Sequence, residues 1–101
     1  MPTKVESMGA IARIVLSGIF DFSTQADLSG AIDKALSIPG ATEIQVDMST
    51  VAFIDSSAIR ALLQLQETAR ASGKSLSIWN CNAQIRETFS IGGFDQLFVI
   101  H

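Results

Sequence analysis

The chain has 101 residues, 48% of them hydrophobic and 17% charged, which fits one domain over residues 1–101 with a modest core and argues against disorder. Its formal charge is −3, with Lys and Arg scattered rather than striped, so a nucleic-acid backbone is not an expected partner. No apolar run approaches the roughly 20 residues of a membrane span, the first residues lack the apolar stretch of a signal peptide, and Cys81 is the sole cysteine; together these point to a reducing cytoplasm and no direct membrane insertion.

No internal repeat or linker interrupts the chain. Residues before Gly9 are read as an edge strand. Residues 11–17 alternate, with Ala12, Ile14 and Leu16 on one face and Ile11, Arg13, Val15 and Ser17 on the other, which predicts a strand that Gly18 ends. Residues 24–37 predict a helix: Thr24 with Asp27 three residues on resembles a capping box, and Leu28, Ala31, Ile32, Ala35 and Leu36 share a face. Pro39-Gly40 stops it.

Residues 43–48 alternate Ile44, Val46 and Met48 with Glu43, Gln45 and Asp47, and predict the clearest strand. Val51, Phe53 and Ile54 carry the chain to Asp55. Residues 57–72 predict the longest helix, buried along Ile59, Leu62, Leu63, Gln66 and Ala69, with Leu65 at the margin and Gly73 as a left-handed terminator. Leu76, Ile78 and Trp79 mark a strand. Asn82 caps a helix at 83–90 with Ile85 and Phe89 inward, Gly92-Gly93 ends it, and residues 97–100 predict a last short strand. Strands separated by helices need crossovers, so the fold class is α/β, with a mixed or parallel sheet and helices packed on it.

The candidate for chemistry is Asp55-Ser56-Ser57, where a strand gives way to a helix. A helix N-terminus has unpaired N–H groups and partial positive charge. A serine there can cap the helix, which is the default role, or carry a phosphoryl group that the N-terminus stabilises; Ser56 and Ser57 could divide or share these roles. Nucleophilic catalysis is disfavoured. A serine nucleophile needs a base within reach, the only histidine is His101, and Ile54-Asp55-Ser56-Ser57-Ala58 lacks the glycines of the Gly-x-Ser-x-Gly elbow. Asp21 and Asp55 could form a carboxylate pair, but lone Asp residues in turns are more often caps. No metal or cofactor is expected. Phe22, with Phe20 and Ile19, flanks Asp21 and is either core or an apolar binding patch. Cys81 reads as a small buried filler.

Several segments in this order carry a resemblance: Leu16-Ser17-Gly18-Ile19-Phe20-Asp21, Val46-Asp47-Met48, Val51-Ala52-Phe53-Ile54-Asp55-Ser56-Ser57-Ala58, Gly73-Lys74, and the closing Ile85, Phe89 and Gly93-Phe94. Over almost its whole length the chain resembles the STAS domain, and most of all the freestanding anti-sigma factor antagonist branch. The resemblance implies a mixed four- to five-stranded sheet with about three helices packed mainly on one side. It implies phosphorylation of Ser56 by a partner serine kinase that doubles as an anti-sigma factor and itself holds the ATP. It implies binding of that kinase when Ser56 is unmodified, release when it is phosphorylated, and restoration by a phosphatase. The partner surface expected is Asp21, Phe22, Asp55, Ser57 and Ala58. Family members commonly have Gly where this chain has Ala58, and often a longer C-terminal helix after the last strand. Lack of that helix is expected to open a sheet edge or face to a partner or to a second copy, a homodimer. The alternative is a constitutive STAS-fold subunit of a membrane lipid-transport complex or stress-sensing scaffold, in which Ser56 is only a cap.

Overall fold

The computed structural model describes residues 3–101. Their regular elements are β1 (Thr3–Met8), β2 (Ile11–Phe20), α1 (Gln25–Leu36), β3 (Glu43–Ile54), α2 (Ser56–Ala71), β4 (Ser75–Trp79), α3 (Ala83–Ile91) and β5 (Val99–Ile100), with short 3-10 turns at Phe22–Thr24 and Phe94–Gln96. The strands form a single five-stranded sheet in the order β1-β2-β3-β4-β5. β1 pairs antiparallel with β2 through a tight turn at Gly9, and the other neighbours are parallel.

Because the parallel strands advance in one direction, crossovers of the usual right hand set all three helices on the same face. The register shows why this sequence accepts that layout. Ala12 lies beside Ile44 and Ile44 beside Leu76; Ile14 lies beside Val46 and Val46 beside Ile78. These rows are buried, and Leu28, Ala31 and Ala35 of α1 and Ile59, Leu62, Leu65 and Ala69 of α2 share their core. Phe89 of α3 meets Phe98 edge-on, with centroids 5.6 Å apart, an arrangement that adds to the area term.

Several expectations are corrected. Gly18 does not end the second strand: at φ +83° it forms an irregularity inside β2, and the register with β3 shifts on both sides of it. β3 likewise runs unbroken to Ile54. The buried line of α2 runs through Leu65, with Leu63 and Gln66 at its margin. Thr24 with Asp27 is not the capping box. Thr24 makes no side-chain cap for α1; instead it closes a reciprocal box with Asp21 around the preceding 3-10 turn. Gly73 does adopt a left-handed conformation, and Asn82 caps α3 by accepting from the Ile85 amide at 2.8 Å.

The other face of the sheet is polar rather than helix-covered. Asp47, which alternates with Val46 and Met48 along β3, is only 8% exposed. Its carboxylate accepts from Asn80 Nδ2 at 3.0 Å and from the Ser49 amide at 3.0 Å, and lies 3.3 Å from Arg13 Nη2. Arg13 also donates to Gln45 Oε1 at 2.6 Å. Burial alone would raise the Asp47 pKa, but donation from Asn80 and Ser49 and the charge of Arg13 outweigh it and hold the carboxyl below its ordinary value. Its stabilisation is therefore present above the ordinary value and fades as pH falls through the lower folded-state value. Asp47→Ala should cost roughly 1–3 kcal/mol at neutral pH, because Arg13 and Asn80 lose their shared acceptor. Urea melts should show that deficit shrinking only below about pH 3.8.

Candidate functional site

The parallel pairing of β2 with β3 brings Phe20 beside Ile54, so the two turns that follow begin side by side. Both anchors are buried. The Asp55 amide donates to the Phe20 carbonyl at 3.1 Å, which fixes the second turn against the first. Asp21 and Asp55, distant in sequence, thus stand on adjacent strand ends.

At the second turn, Asp55 is the N-cap of α2. Its backbone is extended, and its Oδ1 accepts from the Ala58 amide at 3.0 Å. Asp is a strong cap because its short carboxylate reaches a first-turn amide and opposes the helix dipole. Ser56 is therefore the first residue inside the helix, not the cap, and this replaces the default role expected for it. It is exposed, and Ser57 is partly so. First-turn amides have no intrahelical acceptor. Asp55 takes that of Ala58, so those of Ser56 and Ser57 remain directed out of the helix end.

At the first turn, Asp21 Oδ1 accepts from the Ser23 hydroxyl at 2.6 Å and the Ser23 amide at 2.9 Å, while the Asp21 amide donates to Thr24 Oγ1 at 3.0 Å. The Ser23 hydroxyl is the main reason that the Asp21 carboxyl titrates below its ordinary value. Beside these acids lies apolar surface. Phe22 is 77% exposed, and Ile19 and Phe53, register partners on β2 and β3, are 53% and 44% exposed. Phe20, expected as either core or patch, is core; Phe22 is patch.

Ala58 stands apart from the other expected surface residues. It is 3% exposed and regular in conformation, so its methyl faces inward and offers a partner nothing. No positive φ is demanded there, so the conformational freedom of glycine is not needed and alanine serves. Phe53 joins the surface in its place. The sequence signal for it existed: Phe53 precedes the buried Ile54, and successive strand residues face opposite ways. Clefts run along α2, β4 and β5 and between α1 and α2, and Ser56 lines none of these. Among the described residues no three His, Cys, Asp or Glu side chains cluster as metal ligands. Cys81 is half-buried with its Sγ 3.7 Å from Met48 Sδ, and burial pushes its thiol pKa up.

The family model described as "Mlab, STAS domain" matches residues 3–100. A STAS-domain containing protein of Pseudomonas aeruginosa is 32% identical over 92 residues, which cover 91% of this chain and 89% of that protein. Among solved structures, an anti-sigma factor antagonist from Mycobacterium paratuberculosis superposes with a TM-score of 0.86 at 21% identity, over 98% of this chain and 83% of its own. The Bacillus cell fate determinant SpoIIAA in the phosphorylated form gives 0.72 at 19% identity, over 98% and 90%. A sulfate transporter family protein from Wolinella succinogenes gives 0.76 at 22% identity, over 96% and 80%. These structural likenesses establish the fold, an α/β five-stranded mixed sheet with three helices.

The division of labour at the helix start is measurable. Asp55→Ala should destabilise the chain by about 1 kcal/mol through loss of the cap. Ser56→Ala should stay within about 0.5 kcal/mol of the parent. Thermal and urea unfolding of the two variants would separate them; equal losses would mean that Ser56 caps as well.

Proposed function

The chain belongs to the STAS domain family, and on that premise we propose that it is a phospho-regulated binding module: an anti-sigma factor antagonist that holds an anti-sigma factor kinase while Ser56 is unmodified and releases it once Ser56 is phosphorylated. Residues 1–101 would be one STAS domain. The observation that carries the proposal is the exposed Ser56 at the first position of α2, relieved of capping by Asp55. A kinase reaches such a hydroxyl without unfolding anything. It transfers the γ-phosphoryl group of ATP to the Ser56 oxygen, whose proton leaves. A phosphatase hydrolyses the ester with water and returns the hydroxyl. This chain performs neither step and is not an enzyme.

Phosphoserine adds about −1.5 to −2 charges at neutral pH. The positive end of α2 and the outward amides of Ser56 and Ser57 offset part of that within the domain, so the fold tolerates the group. The docking surface does not. Asp55 and Ser57 flank Ser56 in the chain, Asp21 follows the strand end beside Ile54, and Phe22 next to it is the exposed apolar residue. A dianion beside two carboxylates reverses the fit for any partner seated on an apolar anchor with an acidic rim. Among the described residues no helix is long and apolar enough to cross a membrane; the compartment we propose is the cytoplasm, where a kinase finds ATP.

The same fold occurs in a sulfate transporter family protein, so the fold alone leaves room for a second reading: a constitutive subunit of a membrane lipid-transport complex or stress-sensing scaffold, with Ser56 never modified.

Phosphopeptide mapping by tandem mass spectrometry of the chain purified with its native partners discriminates the two. The switch requires phosphate on Ser56 and a kinase among the partners; unmodified Ser56 with transporter subunits supports the second reading. With the kinase in hand, Ser56→Ala should bind as the parent does and take no phosphate. Ser56→Asp should bind at least about tenfold more weakly, equivalent to about 1.4 kcal/mol. Phosphate found on Ser57 with Ser56 spared refutes the assignment, and undiminished binding by Ser56→Asp refutes the charge mechanism.

A further inference from the structure

We propose that the outer edge of β1 is a self-association site, where β1 of a second copy adds antiparallel about a two-fold axis at Val5 and joins two sheets into one. Within the chain β1 has β2 on one side, and among the described residues nothing pairs with its other side. Such an edge presents free N–H and C=O groups to another strand.

The charges on β1 select the register. Lys4 and Glu6 share one face of the strand, 3.9 Å apart, opposite Val15 and Arg13 of β2. Val5, between them, turns to the other face and packs against the core. A two-fold axis normal to the sheet keeps each face on its own side and requires one residue to meet its own counterpart, because paired residues must share a face. Centred on Val5, that pairing sets Lys4 opposite Glu6 of the second copy, Glu6 opposite its Lys4, and Thr3 opposite its Ser7. Moving the centre to Lys4 or Glu6 sets like charges face to face, which destabilises a pair. An edge built only to repel other strands would carry one sign of charge; this one carries a self-complementary pattern.

A second, independent observation lies on α1, which packs on both β1 and β2. Asp27, Gly30 and Lys34 of α1 border the same cleft as Lys4 and Val5. Glycine inside a helix weakens it relative to alanine, yet nothing within the chain calls for Gly30: its φ is not positive, and an added Cβ would meet nothing within 4 Å. In the paired assembly the strand spacing of about 4.8 Å sets the two α1 helices about 10 Å apart, the upper end of helix contact distances. Gly30 then eases the approach. A two-fold passing between Gly30 and Ala31 also sets Asp27 opposite Lys34 of the second copy.

Sedimentation equilibrium tests the proposal, with circular dichroism as a control on folding; the Ser56 surface follows β3, two strands away, so the two readings fail separately. The parent chain should form a dimer. Lys4→Glu and Glu6→Lys each create two repelling pairs and should each weaken the dimer by about tenfold or more. An equimolar mixture of the two variants should recover a dimer, since every Glu of one then meets a Lys of the other. Gly30→Leu should weaken the parent dimer. A parent chain that stays monomeric at every concentration, single variants that dimerise like the parent, or a mixture that stays monomeric would each overturn it.

Discussion

The hydrogen bond from the Ala58 amide to the Asp55 carboxylate decides where α2 begins, and the site depends on that decision. One residue later and Ser56 would be a capping group, its hydroxyl turned back onto the helix. With Asp55 in that position, Ser56 enters as the first helical residue and keeps its side chain outside. The Asp55 amide is tied to the carbonyl of Phe20, so the cap cannot drift relative to β2 or to Asp21 behind it. The buried pair Phe20 and Ile54 beneath these turns gives the arrangement its rigidity. Modification of Ser56, as proposed, would need a firm frame and a free hydroxyl at once, and a cap made by the preceding residue supplies both.

The two faces of the sheet are stabilised differently. On the helix side the rows through Ala12, Ile44 and Leu76, and through Ile14, Val46 and Ile78, exclude water by area. On the other side Arg13, Gln45, Asp47 and Asn80 exclude it by pairing. No buried side-chain polar atom among the described residues lacks a partner, which is the condition under which such a network is tolerated.

Much of this was legible in the sequence because it rests on period. The alternation of 43–48, the spacing of α2, Asn82 as a cap and Gly73 as a left-handed stop each follow from one local rule, and the segments shared with the STAS family give the sheet and its helices. Three features were hidden because tertiary partners decide them. Gly18 reads as a strand end, but pairing with β3 on both sides of it carries β2 onward to Phe20. Asp47 reads only as one polar alternate of a strand until Arg13, thirty-four residues earlier, and Asn80, thirty-three later, are brought to it. Thr24 reads as the cap of α1, yet Asp21 and Thr24 satisfy each other around a tighter turn first. At the candidate site the resemblance points to Ser56 and Asp55 alike, whereas the capping role of Asp55 and the exposure of Phe53 rest on geometry.

Asn80 is the only non-glycine residue with positive φ among those described, and its left-handed turn ends β4 with Trp79 facing His101. The two rings stack, with centroids 4.1 Å apart and planes 13° from parallel. The chain has no tyrosine and no other tryptophan. Its near-ultraviolet emission is therefore that of a single indole in contact with an imidazole, at the β4–β5 side of the molecule. Such a fluorophore reports melting of the β4–β5 side of the sheet, and an indole installed beside Ser56 would be the direct spectroscopic view of that surface.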